Sequence, residues 1–407
     1  MKAFRLFLAT TGFVFCARML AGQAPSVVNN PSPTPNAPTL RVSASPLMRI
    51  GGLNDDERYE ILGVNAASMT ADGQLVVVPR TSGSAFTAYF IRFFDTGGRL
   101  VRQLGGSGQG PGEFEGISTL VVLPNKTIIA NDQRLDRVTS VDSTGRVLAT
   151  TPFNGSAACC FADGSFITYE SPSVMRPAAG ASAASGRPRV PLQLVNQGQS
   201  ITATTAPIVT VEWGDTTLRI GPFERVMAGR SAISFNTPPK PFGRSAFIGV
   251  SANTIVYGIN ERFGYQVFSQ EGRLMRTVQA DLPPVPITRA EVAAARASLM
   301  QVASTPEMQR AFAAALDRVD FAATMPAFSD MRVEQDGTVW LRNYTRASPA
   351  QYWWARFDST GRLDGTLAIP ANRSLVSFAR GHVILSQRDT TTDAVFLYVH
   401  RIERAGG

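Results

Sequence analysis

Several residue types are scarce in this chain of 407 residues, and each scarcity excludes a class of protein. Only 17% of the residues are charged and only three are cysteines, which excludes both a highly charged disordered chain and a disulfide-dense small domain. Two histidines and no paired-cysteine spacing leave no zinc-ligand pattern. The chain is instead rich in glycine (35), proline (26) and apolar residues (44%), which is typical of a folded, turn-rich globular protein.

Lysine is also scarce. Lys2, Lys126 and Lys240 are the only lysines among 39 basic residues, so the formal net charge of +8 comes from arginine. No run of five lysines or arginines occurs, and nucleic acid is therefore not an expected partner.

The N-terminus predicts an export signal. Lys2 and Arg5 precede an apolar run from Leu6 to Cys16 and then small residues, so we expect a signal peptide over residues 1–22 and a periplasmic or extracellular protein. No later segment reaches about 18 consecutive apolar residues, so no membrane span is expected in the mature chain. Residues 23–39 are rich in Pro, Asn, Ser and Thr, which predicts a disordered linker.

Two kinds of turn then alternate along the chain. The first kind lies between two short apolar runs and occurs six times, at Asp72-Gly73, Asn125-Lys126, Asp163-Gly164, Asn253-Thr254, Asp336-Gly337 and Arg380-Gly381. The second kind follows an apolar strand, ends in glycine and occurs five times, at Gly97, Gly145, Gly198, Gly272 and Gly361. Such turns join antiparallel strands, and each pair of turns predicts a four-stranded sheet.

Repetition of this sheet predicts an all-β, six-bladed β-propeller over residues 40–404. The chain ends about one strand after Asp389, so the last blade lacks its outer strand. The segment Leu47–Gly52 matches the outer strand of the first blade, Leu100–Gly106, and we expect residues 40–50 to close the ring. Closure removes two sheet edges that would otherwise favour aggregation.

One blade carries a family resemblance. The glycine-rich segment Gly105–Phe114, followed by Ile117–Val122, Asn131-Asp132 and Val138–Asp142, resembles an NHL repeat. The chain is similar to exported bacterial six-bladed propellers related to NHL-repeat proteins. This resemblance implies the fold but no particular activity, because propellers host unrelated functions.

Two intervals interrupt the regular spacing of turns. Residues 177–189 are rich in Pro, Ala, Gly and Ser and predict a mobile loop. Residues 288–319 predict a small helical insertion between blades 4 and 5, because Thr288 with Glu291 forms a capping box and Thr305-Pro306 starts a second helix. A lid, a docking element and a simple cover for apolar surface all fit this insertion.

Polar residues recur where the second strand of a blade ends. Such loops share one face of a propeller, so arginines from five blades would form a positive ring there, able to bind carboxylate, sulfate or phosphate groups. The ring would consist of Arg80, Arg134, Arg262, Arg342 and Arg388. Asp132, Asn260 and Asn343 complete the predicted ligand-binding set.

The leading functional hypothesis is a monomeric, non-enzymatic binding scaffold for an unknown protein, an anionic small molecule or a glycan, with no cofactor. The alternative is a calcium-dependent lactonase or hydrolase, in which channel oxygens from Asn131, Asp132, Asn260, Glu261 and Asn343 would hold the ion. Asn and Asp are common in these loops for backbone reasons alone, so the calcium pattern is not specific.

The remaining candidate residues favour structural roles. His382 and His400 both fall in the last blade, where they fit ordinary strand positions rather than a zinc centre. Cys159 and Cys160 are expected inside a strand, either as buried apolar residues, which we favour, or as an adjacent-residue disulfide. Trp354 aligns with core positions, whereas Trp353-Trp354 together could also form a stacking platform.

Overall fold

The computed structural model of the protein describes residues 24–405, apart from 34–37, 53–55, 81–88, 154, 171–186, 200–205, 216–217, 219, 228–229, 237 and 347–348. The predicted signal peptide, residues 1–22, lies outside the described residues. Residues 177–186 of the predicted mobile loop do so as well.

Three short strands open the described chain: β1 (Ser26–Asn30), β2 (Leu40–Val42) and β3 (Met48–Gly51). A 3₁₀ turn at Glu57–Tyr59 follows. The next three sheets each have four antiparallel strands in chain order. Unit 1 contains β4 (Gly63–Met69), β5 (Leu75–Arg80), β6 (Phe90–Phe94) and β7 (Leu100–Gly105); unit 2 contains β8 (Ile117–Val122), β9 (Ile128–Asp132), β10 (Arg137–Val141) and β11 (Val147–Pro152); unit 3 contains β12 (Ser156–Ala158), β13 (Phe166–Tyr169), β14 (Arg189–Val195) and β15 (Val209–Glu212).

A hairpin and two helices flank the fourth sheet. The hairpin is β16 (Ile220–Met227) and β17 (Arg230–Asn236). Unit 4 contains β18 (Ala246–Val250), β19 (Thr254–Ile259), β20 (Gly264–Ser269) and β21 (Leu274–Ala280), and the helices that follow are α1 (Arg289–Gln301) and α2 (Pro306–Leu316). The two helices predicted within residues 288–319 are confirmed, including the Thr288–Glu291 capping box.

The remaining strands form one nine-stranded sheet made of two four-stranded parts. Unit 5 contains β22 (Phe328–Val333), β23 (Val339–Asn343), β24 (Gln351–Phe357) and β25 (Leu363–Pro370), and unit 6 contains β26 (Ser374–Ala379), β27 (His382–Arg388) and β28 (Val395–Arg404) with β3 as its outer strand. β2 joins the two parts, since it pairs in parallel with β25 and antiparallel with β28. The pairing predicted between the N-terminal segment and the last strand is confirmed.

The apolar core is divided among the seams between neighbouring units. Phe114 packs between units 1 and 2, Phe166 between units 2 and 3, and Phe268 between units 3 and 4. Phe357 packs between units 4 and 5, and further cores join units 5 and 6 and units 6 and 1. The result is an all-β, propeller-like arrangement in which each sheet is stabilised by the sheets on either side of it.

Side-chain acceptors define the turns that the sequence predicted. In the second kind of turn, Asp142 Oδ1 accepts the backbone N–H groups of Thr144 at 2.8 Å and Arg146 at 3.0 Å. The first kind of turn needs a left-handed residue, which Gly337 supplies with a φ of +89°. Local backbone chemistry therefore sets the strand boundaries.

One prediction about the N-terminal segment is wrong. Residues 23–39 were expected to form a disordered linker, but Ser26–Asn30 pairs in parallel with β21 and extends unit 4 to five strands. The Asn30 side chain donates to the Gly361 carbonyl at 3.0 Å and accepts the Leu363 N–H at 2.7 Å. Composition predicted disorder wrongly here because backbone pairing and one buried amide stabilise the segment.

We expect Asn30→Ala to lower the free energy of unfolding by about 1–3 kcal/mol, because the substitution leaves buried backbone groups of unit 5 without partners. Asn29→Ala is the matched control. Its side chain is exposed and accepts a hydrogen bond from the Gln279 side chain at 2.6 Å, so the effect of the substitution should stay within about 0.5 kcal/mol. Urea unfolding of the three proteins measures both effects, and equal stabilities would mean that β1 does not dock in solution.

Acid should destabilise the protein through the turn aspartates. Hydrogen bonds from the Thr144 hydroxyl, and then from the backbone of Arg146 and Thr144, outweigh desolvation and hold the pKa of Asp142 well below its usual value. A depressed pKa stabilises the fold above the unfolded pKa of about 3.9, and this stabilisation is lost as the pH falls below it.

We therefore expect the free energy of unfolding to fall as the pH is lowered from about 5 to about 2. Asp142→Asn and Thr144→Ala should both reduce that fall, because each removes part of the difference between the folded and unfolded pKa of Asp142. Chemical unfolding across this pH range measures the slope, and an unchanged slope in Asp142→Asn would contradict the assignment.

Candidate functional site

The eight predicted site residues lie where the second strand of a unit ends. Arg80, Asp132, Asn343 and Arg388 are the last residues of β5, β9, β23 and β27, and Arg342 precedes Asn343. Asn260 follows β19 directly, whereas Arg134 lies two residues past the end of β9 and Arg262 three residues past the end of β19. Within the described chain, none of the eight lines the central channel, and the arginine ring stays a prediction.

Two of these residues form side-chain hydrogen bonds to backbone groups of neighbouring segments. Asp132 is fully buried, and its carboxylate accepts the N–H groups of Glu115 at 2.7 Å and of Arg134 at 3.0 Å. Asn260 accepts the Ser245 N–H at 2.7 Å and donates to the Phe328 carbonyl at 3.0 Å. These bonds engage the side-chain oxygens of two of the five candidate calcium ligands with backbone N–H groups.

Two of the predicted arginines are engaged close to their own loops. The Arg342 guanidinium donates to the Ser329 hydroxyl at 2.9 Å and lies over the Tyr352 ring. Arg388 forms an ion pair with Asp393 at 2.8 Å and donates to the Leu62 carbonyl. Neither guanidinium is a free anion donor in this arrangement.

The first strands of the units surround a central channel of about 590 Å³. β4, β8, β18, β22 and β26 all contribute to the channel wall, together with Cys159, which follows β12. The strand position predicted for Cys159 and Cys160 is therefore wrong. Their sulfurs are joined as a disulfide, and Cys160 is buried.

A larger cavity, of about 1120 Å³, lies between units 4 and 5. Its apolar wall includes Phe263, Leu282, Met325, Tyr344 and Trp353. Phe263 and Trp353 pack with their ring centroids 5.9 Å apart, and Trp353 is only half-buried. The segments before α1 and after α2 contribute to this wall, so the helical insertion stands beside the cavity.

Strand β1 also contributes to the cavity, through Asn29 and Asn30. Sequence reasoning missed these residues because their segment was assigned to a linker. It also missed Phe263 and Leu282, which carry no motif. The Trp353-Trp354 pair was the available signal: Trp354 is buried against Phe378, as predicted for a core residue, while Trp353 lines the cavity.

The rim of the cavity is charged. Arg262 and Asn343 of the predicted set both lie there, with Glu261 and Arg346. The Arg346 guanidinium pairs with Glu291 at the start of α1 at 3.2 Å, and Glu261 pairs with Arg187 at 2.9 Å. Arg262 is exposed and makes no hydrogen bond or ion pair to any described residue, so its guanidinium is available to a ligand.

The histidines have structural positions, as predicted. His400 is buried in β28, its Nδ1 lies 2.8 Å from the Ser43 carbonyl oxygen, and burial lowers its pKa. His382 begins β27 and contacts the Arg380 carbonyl oxygen.

In the described part of the chain, no group of three or more His, Cys, Asp or Glu residues is arranged to hold a metal ion. Among the described helices, none has the length and apolar character needed to cross a membrane.

Comparison with known proteins supplies no family. No family model and no curated protein matches the chain. One similar solved structure is a Bacteroides fragilis protein described as exported, with a TM-score of 0.47, 13% identity and coverage of 93% of this chain and 100% of that one. Another is a DUF4221 protein from Bacteroides vulgatus, with a TM-score of 0.47, 10% identity and coverage of 90% and 99%. Streptogramin B lyase has a TM-score of 0.36, 10% identity and coverage of 88% and 87%. Similarities this low do not identify a function.

We expect Asp132→Ala to lower the free energy of unfolding by about 1–3 kcal/mol, because buried N–H groups of the loop lose their acceptor. Gln133→Ala, an exposed neighbour, is the control and should change little. If Asp132 instead held calcium, added calcium chloride would raise the melting temperature of the wild type and not of Asp132→Ala, and thermal unfolding with and without the salt decides between the two roles.

Proposed function

We propose that the chain is an exported, six-bladed β-propeller that binds an anionic ligand with an apolar body in the cavity between units 4 and 5. The observation that carries this proposal is the combination of a large cavity walled by aromatic and aliphatic side chains with a guanidinium at its rim, that of Arg262, which forms no ion pair with any described residue. Clefts of this kind, apolar with few polar groups, are the usual form of ligand sites.

The six-bladed description counts units 5 and 6 as separate blades. Their strands share one sheet because β2 pairs with both of them. The inner strands of both units line the same channel as those of the other sheets, and each unit packs against two neighbours through its own pair of cores. These features support two blades bridged by an added strand.

Export to the periplasm or the cell exterior is supported by the N-terminal sequence, in which two basic residues precede an apolar run that is too short to span a bilayer. In this proposal the propeller comprises residues 40–404 together with strand β1, which extends unit 4, and acts as a monomer.

Binding rather than hydrolysis is favoured by how two of the five candidate calcium ligands are used. Both Asp132 and Asn260 hold backbone groups of their loops, as described above. The cavity instead offers burial of apolar surface, worth about 25 cal/mol per Å², and a charged donor that discriminates between anionic and neutral ligands. Calcium is not needed for either contribution.

Two fluorescent probes with a common apolar body test the proposal: 8-anilinonaphthalene-1-sulfonate, an anion, and N-phenyl-1-naphthylamine, its neutral counterpart. We expect the sulfonate to bind more tightly, and Arg262→Gln to weaken its binding about three- to tenfold without changing the affinity for the neutral probe. Trp353→Ala should weaken both probes, because it removes part of the shared apolar wall.

Arg134→Gln is the matched control, since Arg134 occupies the corresponding exposed position in unit 2 and does not line the cavity. It should leave both affinities unchanged. Equal weakening of the sulfonate by Arg134→Gln and Arg262→Gln would favour the arginine ring over the cavity, and probe binding that ignores both Arg262→Gln and Trp353→Ala would refute the proposed site.

A further inference from the structure

Two opposite charges are adjacent in sequence at the rim of the cavity. Glu261 and Arg262 both line it, and a free carboxylate beside the guanidinium would repel an anion and could pair with Arg262 itself. The availability of Arg262 therefore depends on what holds the Glu261 carboxylate.

Arg187 holds it. The Arg187 Nη1 atom lies 2.9 Å from Glu261 Oε2 and 3.8 Å from a Glu212 carboxylate oxygen. The hydrogen bond from Arg187 is the main reason that the pKa of Glu261 is lowered, so the carboxylate is ionised and bonded at neutral pH. Arg187 comes from the segment that precedes β14, more than 70 residues away in sequence, and this contact exists only in the folded chain.

Two other guanidiniums near Glu261 bind other groups. Arg244 is buried and donates to the Thr324 carbonyl and hydroxyl oxygens at 2.9 Å, and Arg346 pairs with Glu291. Arg187, which itself lies outside the cavity lining, is thus the described residue that hydrogen-bonds the Glu261 carboxylate, whereas Arg244 and Arg262 act on it through charge alone.

We propose that Arg187 determines the charge specificity of the cavity as a positioning residue: by hydrogen-bonding Glu261, it leaves the Arg262 guanidinium unbonded by that carboxylate and open to the ligand anion. This inference rests on the proposed function. A purely structural role for the pair would be small, because the two side chains are 28% and 49% exposed and such pairs contribute little to stability.

The test is a double-mutant cycle on the intact chain with the same two probes. We expect Arg187→Gln to weaken sulfonate binding about three- to tenfold and to leave the neutral probe unchanged, since the released Glu261 carboxylate then opposes the anion. In the double variant Arg187→Gln/Glu261→Gln, sulfonate affinity should return to the wild-type value, because the carboxylate next to Arg262 is then absent.

Arg189→Gln controls for the lost charge. Arg189 is exposed, lies two residues from Arg187 and makes no ion pair with a described residue, so its substitution should not change either affinity. The melting temperatures of all variants should match, which separates the expected loss of binding from unfolding.

The inference is overturned if Arg187→Gln binds the sulfonate like the wild type, or if the double variant stays as weak as Arg187→Gln, since Arg187 would then act other than through Glu261. The variant Arg262→Gln distinguishes failure of the proposed anion site from failure of the role of Arg187. Weakened binding in Arg262→Gln with normal binding in Arg187→Gln refutes only the role of Arg187, whereas normal sulfonate binding in Arg262→Gln refutes the anion contact and the inference with it.

Discussion

The pairing of β3 with β28 is the contact on which the rest of the molecule depends. It joins Met48–Gly51 near the start of the chain to Val395–Arg404 at its end, and it buries Met48 and Ile50 in the core between units 6 and 1. Without this pairing, unit 6 would present an open edge and the circuit of seams would be broken. Because the cores lie between units rather than within them, loss of this pairing would also destabilise the units on both sides of the gap.

The N-terminal segment stabilises two further seams besides the one it closes. Asn30 of β1 bonds to unit 5 from the edge of unit 4, and Leu40 of β2 is buried between units 5 and 6. The same segment forms part of the cavity through Asn29 and Asn30. The residues that tie units 4 and 5 together are therefore also cavity residues, and the shape of the site depends on how the ring is held.

The parts of the fold that could be predicted from the sequence are those controlled by neighbouring residues. An aspartate such as Asp142 that bonds N–H groups two and four residues later produces the same turn wherever it occurs. The docking of β1 has no such local signal, because its partners, Gln279, Gly361 and Leu363, are distant in sequence. A segment of Pro, Asn, Ser and Thr has the composition of a linker, and only the backbone pairing with β21 shows otherwise.

The same distinction explains the candidate site. The sequence correctly located polar residues at the ends of second strands, but Asp132 and Asn260 there serve the backbone, and Arg342 and Arg388 are held by Ser329 and Asp393. Residue type and position cannot separate these roles, since each depends on a partner from another part of the chain. An excess of arginine therefore does not by itself create an anion site. A guanidinium becomes available where its own neighbouring carboxylate is bonded to another cation, which is the relation of Arg262 to Glu261 and Arg187.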